Sequence, residues 1–138
     1  MRVYLAGPMS GYPQFNFPAF YAATDDLRAR GWDIVSPAEL DAIGGTDKEA
    51  MASSDGDAAK LTKTWGDLLA RDVKIVSDEV KGVIFLQPEW VNSKGAKLEA
   101  FVALLCKGHH FFQYHGPDEP IEVLSRGYVM HQIYMDML

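Results

Sequence analysis

The stretch Asn92-Ser93-Lys94-Gly95-Ala96-Lys97-Leu98-Glu99 places a hydroxyl, a glycine and a carboxylate within two helical turns. Ser93 is suited to cap a helix that starts near Gly95, and the glycine lets a ligand approach the backbone closely. Amides at a helix start have no partner inside the helix and favour an anion. Glu99 follows about one turn later, so its carboxylate can face the same crevice. An anion site beside a reactive carboxylate fits a sugar phosphate, with the phosphate on the amides and the sugar carbon at Glu99. The same window also fits an ordinary capped helix with a surface glutamate.

A second carboxylate, Asp72, stands between Leu69 and Val73, where a purely structural residue is more often apolar. Two acids at one site suit glycosidic chemistry: one attacks the anomeric carbon while the other handles a proton. Taken alone, Asp72 reads equally as a salt-bridged surface acid. Tyr4 lies near the end of the first apolar run and either donates a hydrogen bond to the nucleophile or is simply an aromatic strand residue. The turn after it, Gly7-Pro8-Met9-Ser10-Gly11, lacks both G-x-G-x-x-G and the Gly-Lys-Ser/Thr ending of a P-loop. His109, His110, His115 and His131 have no metal-ligand spacing, and neither a metal nor an organic cofactor is expected.

Alternating elements must carry these groups. Arg2–Ala6 reads as a short buried strand, and Gly7–Asn16 as a loop. A helix follows from Phe17-Pro18, capped by Asn16, with a stripe of Phe20, Ala23, Leu27 and Ala29 and an end at Gly31. Trp32–Ser36 is a second strand, and Ala38–Ile43 a helical turn. Gly44–Asp57 has no apolar periodicity and reads as an exposed, flexible loop. A longer helix is predicted from about Ala58 to Ser77. Lys81–Leu86 is the clearest strand, its continuous hydrophobicity suiting a central parallel position. A loop over Gln87–Lys94, a helix from Gly95 to about Cys106 and a fourth strand over His110–Tyr114 come next. The C-terminal stretch reads mostly as helix with a break at Gly127. Tyr128, Met130, Ile133, Tyr134 and Met137 look like an amphipathic packing or subunit face.

This alternation predicts one α/β domain over residues 1–138: a flavodoxin-like, Rossmann-like parallel sheet of four to five strands flanked by helices. Ligands in such sheets bind at the carboxyl ends of the strands, here the loops Gly7–Asn16 and Gln87–Gly95. Gly7, Met9, Ser10 and Asn16 are therefore candidate substrate contacts beside Ser93 and Gly95. Trp90 and Phe15 flank the crevice, where they either stack on a base or pack locally.

The 138 residues suffice for one core, and 48% hydrophobic against 23% charged residues excludes disorder as the overall state. Thirteen basic against nineteen acidic residues give a net charge of −6, the wrong balance for a nucleic-acid polymer as partner. One phosphate needs no basic surface. The single cysteine, Cys106, excludes an internal disulfide framework and points to a reducing compartment. The first apolar run is too short for a signal peptide or membrane span, so a cytoplasmic location without membrane contact is expected.

Taken jointly, Tyr4 to Gly11, Phe15-Asn16-Phe17-Pro18-Ala19-Phe20, Arg71-Asp72 and Pro88 to Glu99 resemble the nucleoside 2-deoxyribosyltransferase-like superfamily, in a small branch common in phage and bacterial genomes. The resemblance covers residues 2 to about 114. It implies a flavodoxin-like sheet and cleavage of an N-glycosidic bond through a covalent glycosyl-glutamate. Glu99 takes the nucleophile position, Asp72 the acid near the leaving base and Tyr4 the group that orients the nucleophile. Six residues before the nucleophile, deoxyribosyltransferases carry an aspartate for a free 5′-hydroxyl, whereas 2′-deoxynucleoside 5′-monophosphate N-glycosidases carry a phosphate-binding serine. This chain has Ser93, and a hydroxyl tolerates a phosphate dianion that an aspartate repels. The resemblance also implies a homodimer with shared sites, in which Ser125 is a candidate phosphate ligand for the neighbouring subunit; a helix-cap or turn serine is the simpler reading. Pro8-Met9-Ser10 departs from the Ser-Ile-Arg of the best-known hydrolases, and Lys81 stands where an aspartate usually opens the strand. The expected function is hydrolysis of a small deoxynucleotide to base and deoxyribose 5-phosphate. Base exchange between deoxynucleosides and non-catalytic nucleotide sequestration are the rivals.

Overall fold

The computed structural model describes residues 1–43 and 64–137. The loop expected over 44–57 and the helical turns expected over 58–63 lie outside the described residues. The rest alternates as predicted: β1 (Arg2–Ala6), α1 (Phe17–Ala29), β2 (Asp33–Val35), α2 (Pro37–Ile43), α3 (Trp65–Asp78), β3 (Gly82–Phe85), α4 (Lys94–Leu105), β4 (His110–Gln113), β5 (Glu122–Leu124) and α5 (Arg126–Met137). Short 3-10 turns at Pro13–Asn16 and Pro88–Asn92 precede α1 and α4.

The strands form one sheet in the order β2-β1-β3-β4-β5, giving the α/β, Rossmann-like fold. The first four strands pair in parallel, with Tyr4 opposite Val35 on one side and Val83 on the other. All four residues of β3 are buried, as a strand covered on both faces requires. Successive side chains of β1 enter opposite layers. Val3 and Leu5 join Ile84 and Leu86 against Phe17, Phe20, Ala23 and Leu27 of α1. Tyr4 and Ala6 join Val83, Phe85 and Phe111 against α3, α4 and α5. Among the described residues, no helix is long and apolar enough to cross a membrane.

Several expectations need correction. Asn16 does not cap α1 with its side chain; it sits at φ 60°, and its Nδ2 donates to the Pro8 carbonyl at 3.0 Å. Ala29 is exposed, because the buried stripe of α1 ends at Leu27. The C-terminal stretch holds an extra strand before its helix: β5 pairs antiparallel with β4, so the sheet is parallel only in part. Gly127 lies in the first turn of α5 rather than at a break. The buried face of that helix is Val129 and Ile133, whereas Tyr128, Met130 and Tyr134 are exposed.

Candidate active site

The loops that leave the carboxyl ends of β1, β2 and β3 surround a cleft of about 600 Å3. Its wall includes Tyr4, Gly7, Met9, Ser10, Asp72, Ser93, Gly95 and Glu99, eight of the ten residues singled out from sequence. Asn16 lies outside the wall and supports it through the Pro8 carbonyl. Ser125 is also outside it; its Oγ accepts the Tyr128 amide at 3.0 Å, the helix-cap role.

Glu99 reaches the cleft because of what surrounds it on α4. The buried positions of that helix are Ala96, Glu99, Ala100 and Ala103, a spacing of three, four and seven residues. A carboxylate therefore occupies the apolar stripe, and its small neighbours let α4 lie close to the sheet. Ser93 starts the helix, its Oγ accepting the Ala96 amide at 3.2 Å. That cap leaves the hydroxyl proton available, and the first-turn amides of Lys94 and Gly95 have no acceptor one turn earlier in the helix. A methyl group at Gly95 would meet only Leu69 Cδ1, at an ordinary 3.9 Å. Packing does not demand glycine there. At Gly7 it does, since a Cβ would fall 2.8 Å from Leu86 Cβ.

Asp72 follows the same logic on α3, where it shares a buried stripe with Ile75 and Val76. The helix is anchored by a capping box, with Thr64 Oγ1 accepting the Asp67 amide at 3.1 Å and Asp67 accepting the Thr64 amide at 3.3 Å. Arg71 Nε and Nη2 both donate to Asp72 Oδ1, at 2.9 and 2.7 Å. Tyr4, pointing from β1 into the same layer, donates its hydroxyl to Glu99 Oε2 at 2.6 Å.

All three groups are deeply buried: Tyr4 is 1% exposed, Glu99 5% and Asp72 8%. Burial, followed by the charge of Asp72, pushes Glu99 well above the ordinary carboxylate range, against the Tyr4 hydrogen bond and Arg71. Burial also raises Asp72, and the opposing Arg71 guanidinium leaves it at about 6. Burial and the charges of both acids drive the Tyr4 phenol up, which keeps it a proton donor. Both acids are thereby shifted toward their protonated forms.

Apolar side chains complete the lining, with Met9, Phe15, Pro37, Leu68 and Leu69. Phe15 belongs to three consecutive left-handed residues, Gln14, Phe15 and Asn16, at φ 56°, 52° and 60°. Each such non-glycine residue costs on the order of 1 kcal/mol, offset here by burial of Phe15 and the Asn16 bond. Trp90 does not reach the cleft; it is buried and stacks on Phe85 with centroids 4.0 Å apart. Sequence reasoning missed Asp41, a buried acid of the wall whose Oδ1 stands 2.5 Å from Arg71 Nη1. It also gave no role to Arg71. The histidines are structural where the fold describes their bonds: His109 Nε2 pairs with the Val76 carbonyl at 2.8 Å, and His115 with Glu122 at 2.9 Å.

A family model described as a domain of unknown function, DUF4406, matches residues 1–110. The chain belongs to that family. No curated protein and no solved structure matches it. The DUF4406 span holds Tyr4, Asp41, Arg71, Asp72, Ser93 and Glu99, so the acid cluster and the helix start lie wholly within it. Ser125 and α5 fall beyond it. The family description names no activity.

Proposed function

We propose that this chain is an N-glycosidase that hydrolyses a 2′-deoxynucleoside 5′-monophosphate to the free base and deoxyribose 5-phosphate. The observation that carries the reading is the buried pair of acids, with Tyr4 bonded to Glu99, in one cleft with the Ser93–Gly95 helix start. The motif resemblance to nucleoside 2-deoxyribosyltransferase-like enzymes, with serine six residues before Glu99, supports the same chemistry.

The phosphate sits at the Ser93 hydroxyl and the Lys94 and Gly95 amides, where the helix dipole favours negative charge. The base lies along the apolar lining of Met9 and Phe15. Before substrate enters, one proton shared by the two acids rests mainly on Glu99, which, among the described residues, has no guanidinium hydrogen bond of the kind Arg71 makes to Asp72. Positive charge developing at the sugar carbon favours the Glu99 carboxylate and transfers the proton toward Asp72 and the leaving base. Glu99 then bonds to the anomeric carbon as the C–N bond breaks, and the base departs with the proton. Water attacks the same carbon, its proton passes to Asp72 and the ester to Glu99 opens. Tyr4 holds the Glu99 oxygen in place throughout. A 2-deoxy sugar eases the first step, because no 2-hydroxyl withdraws electrons from the oxocarbenium-like transition state.

A panel of deoxy- and ribonucleoside monophosphates and nucleosides, assayed for released base, tests the proposal. Release from a deoxynucleoside monophosphate in preference to its nucleoside and ribo counterparts is expected. A new nucleoside formed on adding a second base, with no hydrolysis, would replace this reading with base exchange. Binding without turnover of any panel member would replace it with sequestration.

A further inference from the structure

Among the described residues, Arg71 has two carboxylate partners, and only one has a part in the chemistry above. Its Nε and Nη2 meet Asp72 Oδ1, while Nη1 stands 2.5 Å from Oδ1 of Asp41 on α2. Asp41 is 2% exposed, more buried than Asp72, and it lines the same cleft. We propose that Asp41 is a positioning residue for the same reaction: by holding one arm of the Arg71 fork, it fixes where that fork meets Asp72 and how much positive charge Asp72 receives.

The charge count gives the physical reason. Asp41, Asp72 and Glu99 place three carboxylates around one guanidinium, with Tyr4 kept neutral. Among the described residues, the groups facing Asp72 are Tyr4 from β1, Asp41 from α2, Arg71 from α3 and Glu99 from α4. Lys94 adds an ammonium to the wall at an exposed position of the cleft. An aspartate with an arginine to itself is held ionised and is a poor proton carrier, its pKa falling by about one to three units. Asp41 draws part of that guanidinium charge away and adds its own negative charge nearby. Burial is the largest cause that raises Asp72, the Arg71 guanidinium opposes it, and the Asp41 charge adds to burial in the same direction. A plain staple between α2 and α3 needs the ion pair but sets no condition on the proton of Asp72.

The kinetic consequence rests on the glycosidase reading, whereas the electrostatic one does not. The test is Asp41→Asn, which removes the charge at nearly constant size, with Asp41→Glu as the charge-restoring variant. Carbon-13 NMR of the Asp72 carboxyl, without substrate, should show its titration midpoint lowered by about half a pH unit or more in Asp41→Asn. Asp41→Glu should return it most of the way. With a deoxynucleoside monophosphate, Asp41→Asn should lower kcat about tenfold at neutral pH and leave KM within about twofold. The alkaline limb of its kcat profile should move in step with the midpoint. An unmoved midpoint, or a loss seen only in KM, would overturn the proposal. Should Asp41→Asn fail to fold, the wild type decides: the Arg71 Nη protons must give separate, slowly rotating NMR signals, and a freely rotating guanidinium rules the fork arrangement out. Absence of base release by the wild type would overturn the glycosidase reading, while the NMR midpoint still judges Asp41.

Discussion

The two faces of the sheet are built from the same strands and solve the same packing problem differently. On the α1 face, Val3, Leu5, Ile84 and Leu86 meet Phe20, Ala23 and Leu27, and the buried Thr24 hydroxyl is satisfied one turn back by the Phe20 carbonyl at 2.7 Å. On the α3–α4 face, Tyr4 takes the next position along β1, and the helices opposite put acids where their stripes call for apolar residues. Removing a carboxylate from water costs several kcal/mol unless it is paired or protonated. Both faces carry a hydrophobic core, and the α3–α4 face alone bears that cost as a pair of buried acids, Asp72 and Glu99.

The largest effect should come from changing the acid-bearing face chemically. Glu99→Gln keeps size and burial but removes the proposed nucleophile, and under the proposed glycosidase chemistry turnover of the deoxynucleotide should fall at least about a thousandfold. Affinity for the unreacted nucleotide, measured by calorimetry, should stay within about tenfold, roughly 1.4 kcal/mol. Comparable turnover in the variant would remove Glu99 from the chemistry. The opposite experiment is Leu27→Ala on the α1 face, where a fully buried side chain is lost. It should cost about 2–5 kcal/mol in urea unfolding and leave the pH dependence of activity unchanged.

Next in size is the linkage between the acids and stability. Asp72 titrates at about 6 in the fold against 3.8 for the free side chain, so the native state binds more protons than the unfolded one between those values. Stability from this group is therefore fully present below about pH 4 and is lost as pH rises toward 6. The loss amounts to about 3 kcal/mol at neutral pH. Asp72→Asn should remove that slope: relative to wild type, the variant should gain stability steadily in urea melts from pH 4 to pH 7. A parallel pair of curves would mean that Asp72 carries no raised pKa. Glu99→Gln should show the same sign, because Glu99 is also raised.

The sequence reveals these two faces unequally. Continuous apolar runs make β1 legible as a buried strand and β3 as a central one, and Glu99 is legible as a carboxylate one turn past the Ser93–Gly95 helix start. Asp72 is legible because it stands between Leu69 and Val73, where a structural residue is more often apolar. Periodicity says nothing of residues that meet by tertiary pairing. The Asp41–Arg71 contact joins a seven-residue helix to another element thirty positions along, and neither partner has a spacing that announces the other. The left-handed run Gln14–Asn16 contains no glycine to signal positive φ. β5 escaped detection because it has three residues, two of them exposed, including Val123 at 74%, so it lacks the buried run that marks the inner strands.

The smallest effect separates the two roles of one hydroxyl. Ser93 Oγ accepts the Ala96 amide as a helix cap, and its proton is the part left for a phosphate. Ser93→Ala loses both functions, so stability should drop by about 1 kcal/mol as for other lost caps. That loss is the same whatever ligand is offered. The phosphate contact is not: KM or Kd for the deoxynucleoside monophosphate should rise about tenfold, against less than about twofold for the matching nucleoside. Ser93→Asp sharpens the distinction, because aspartate caps a helix as well as serine but places a negative charge where the phosphate would sit. It should therefore keep the melting temperature near wild type while discriminating against the monophosphate more strongly than Ser93→Ala. Equal losses for nucleotide and nucleoside in both variants would show that the start of α4 is a cap alone and would move the phosphate elsewhere.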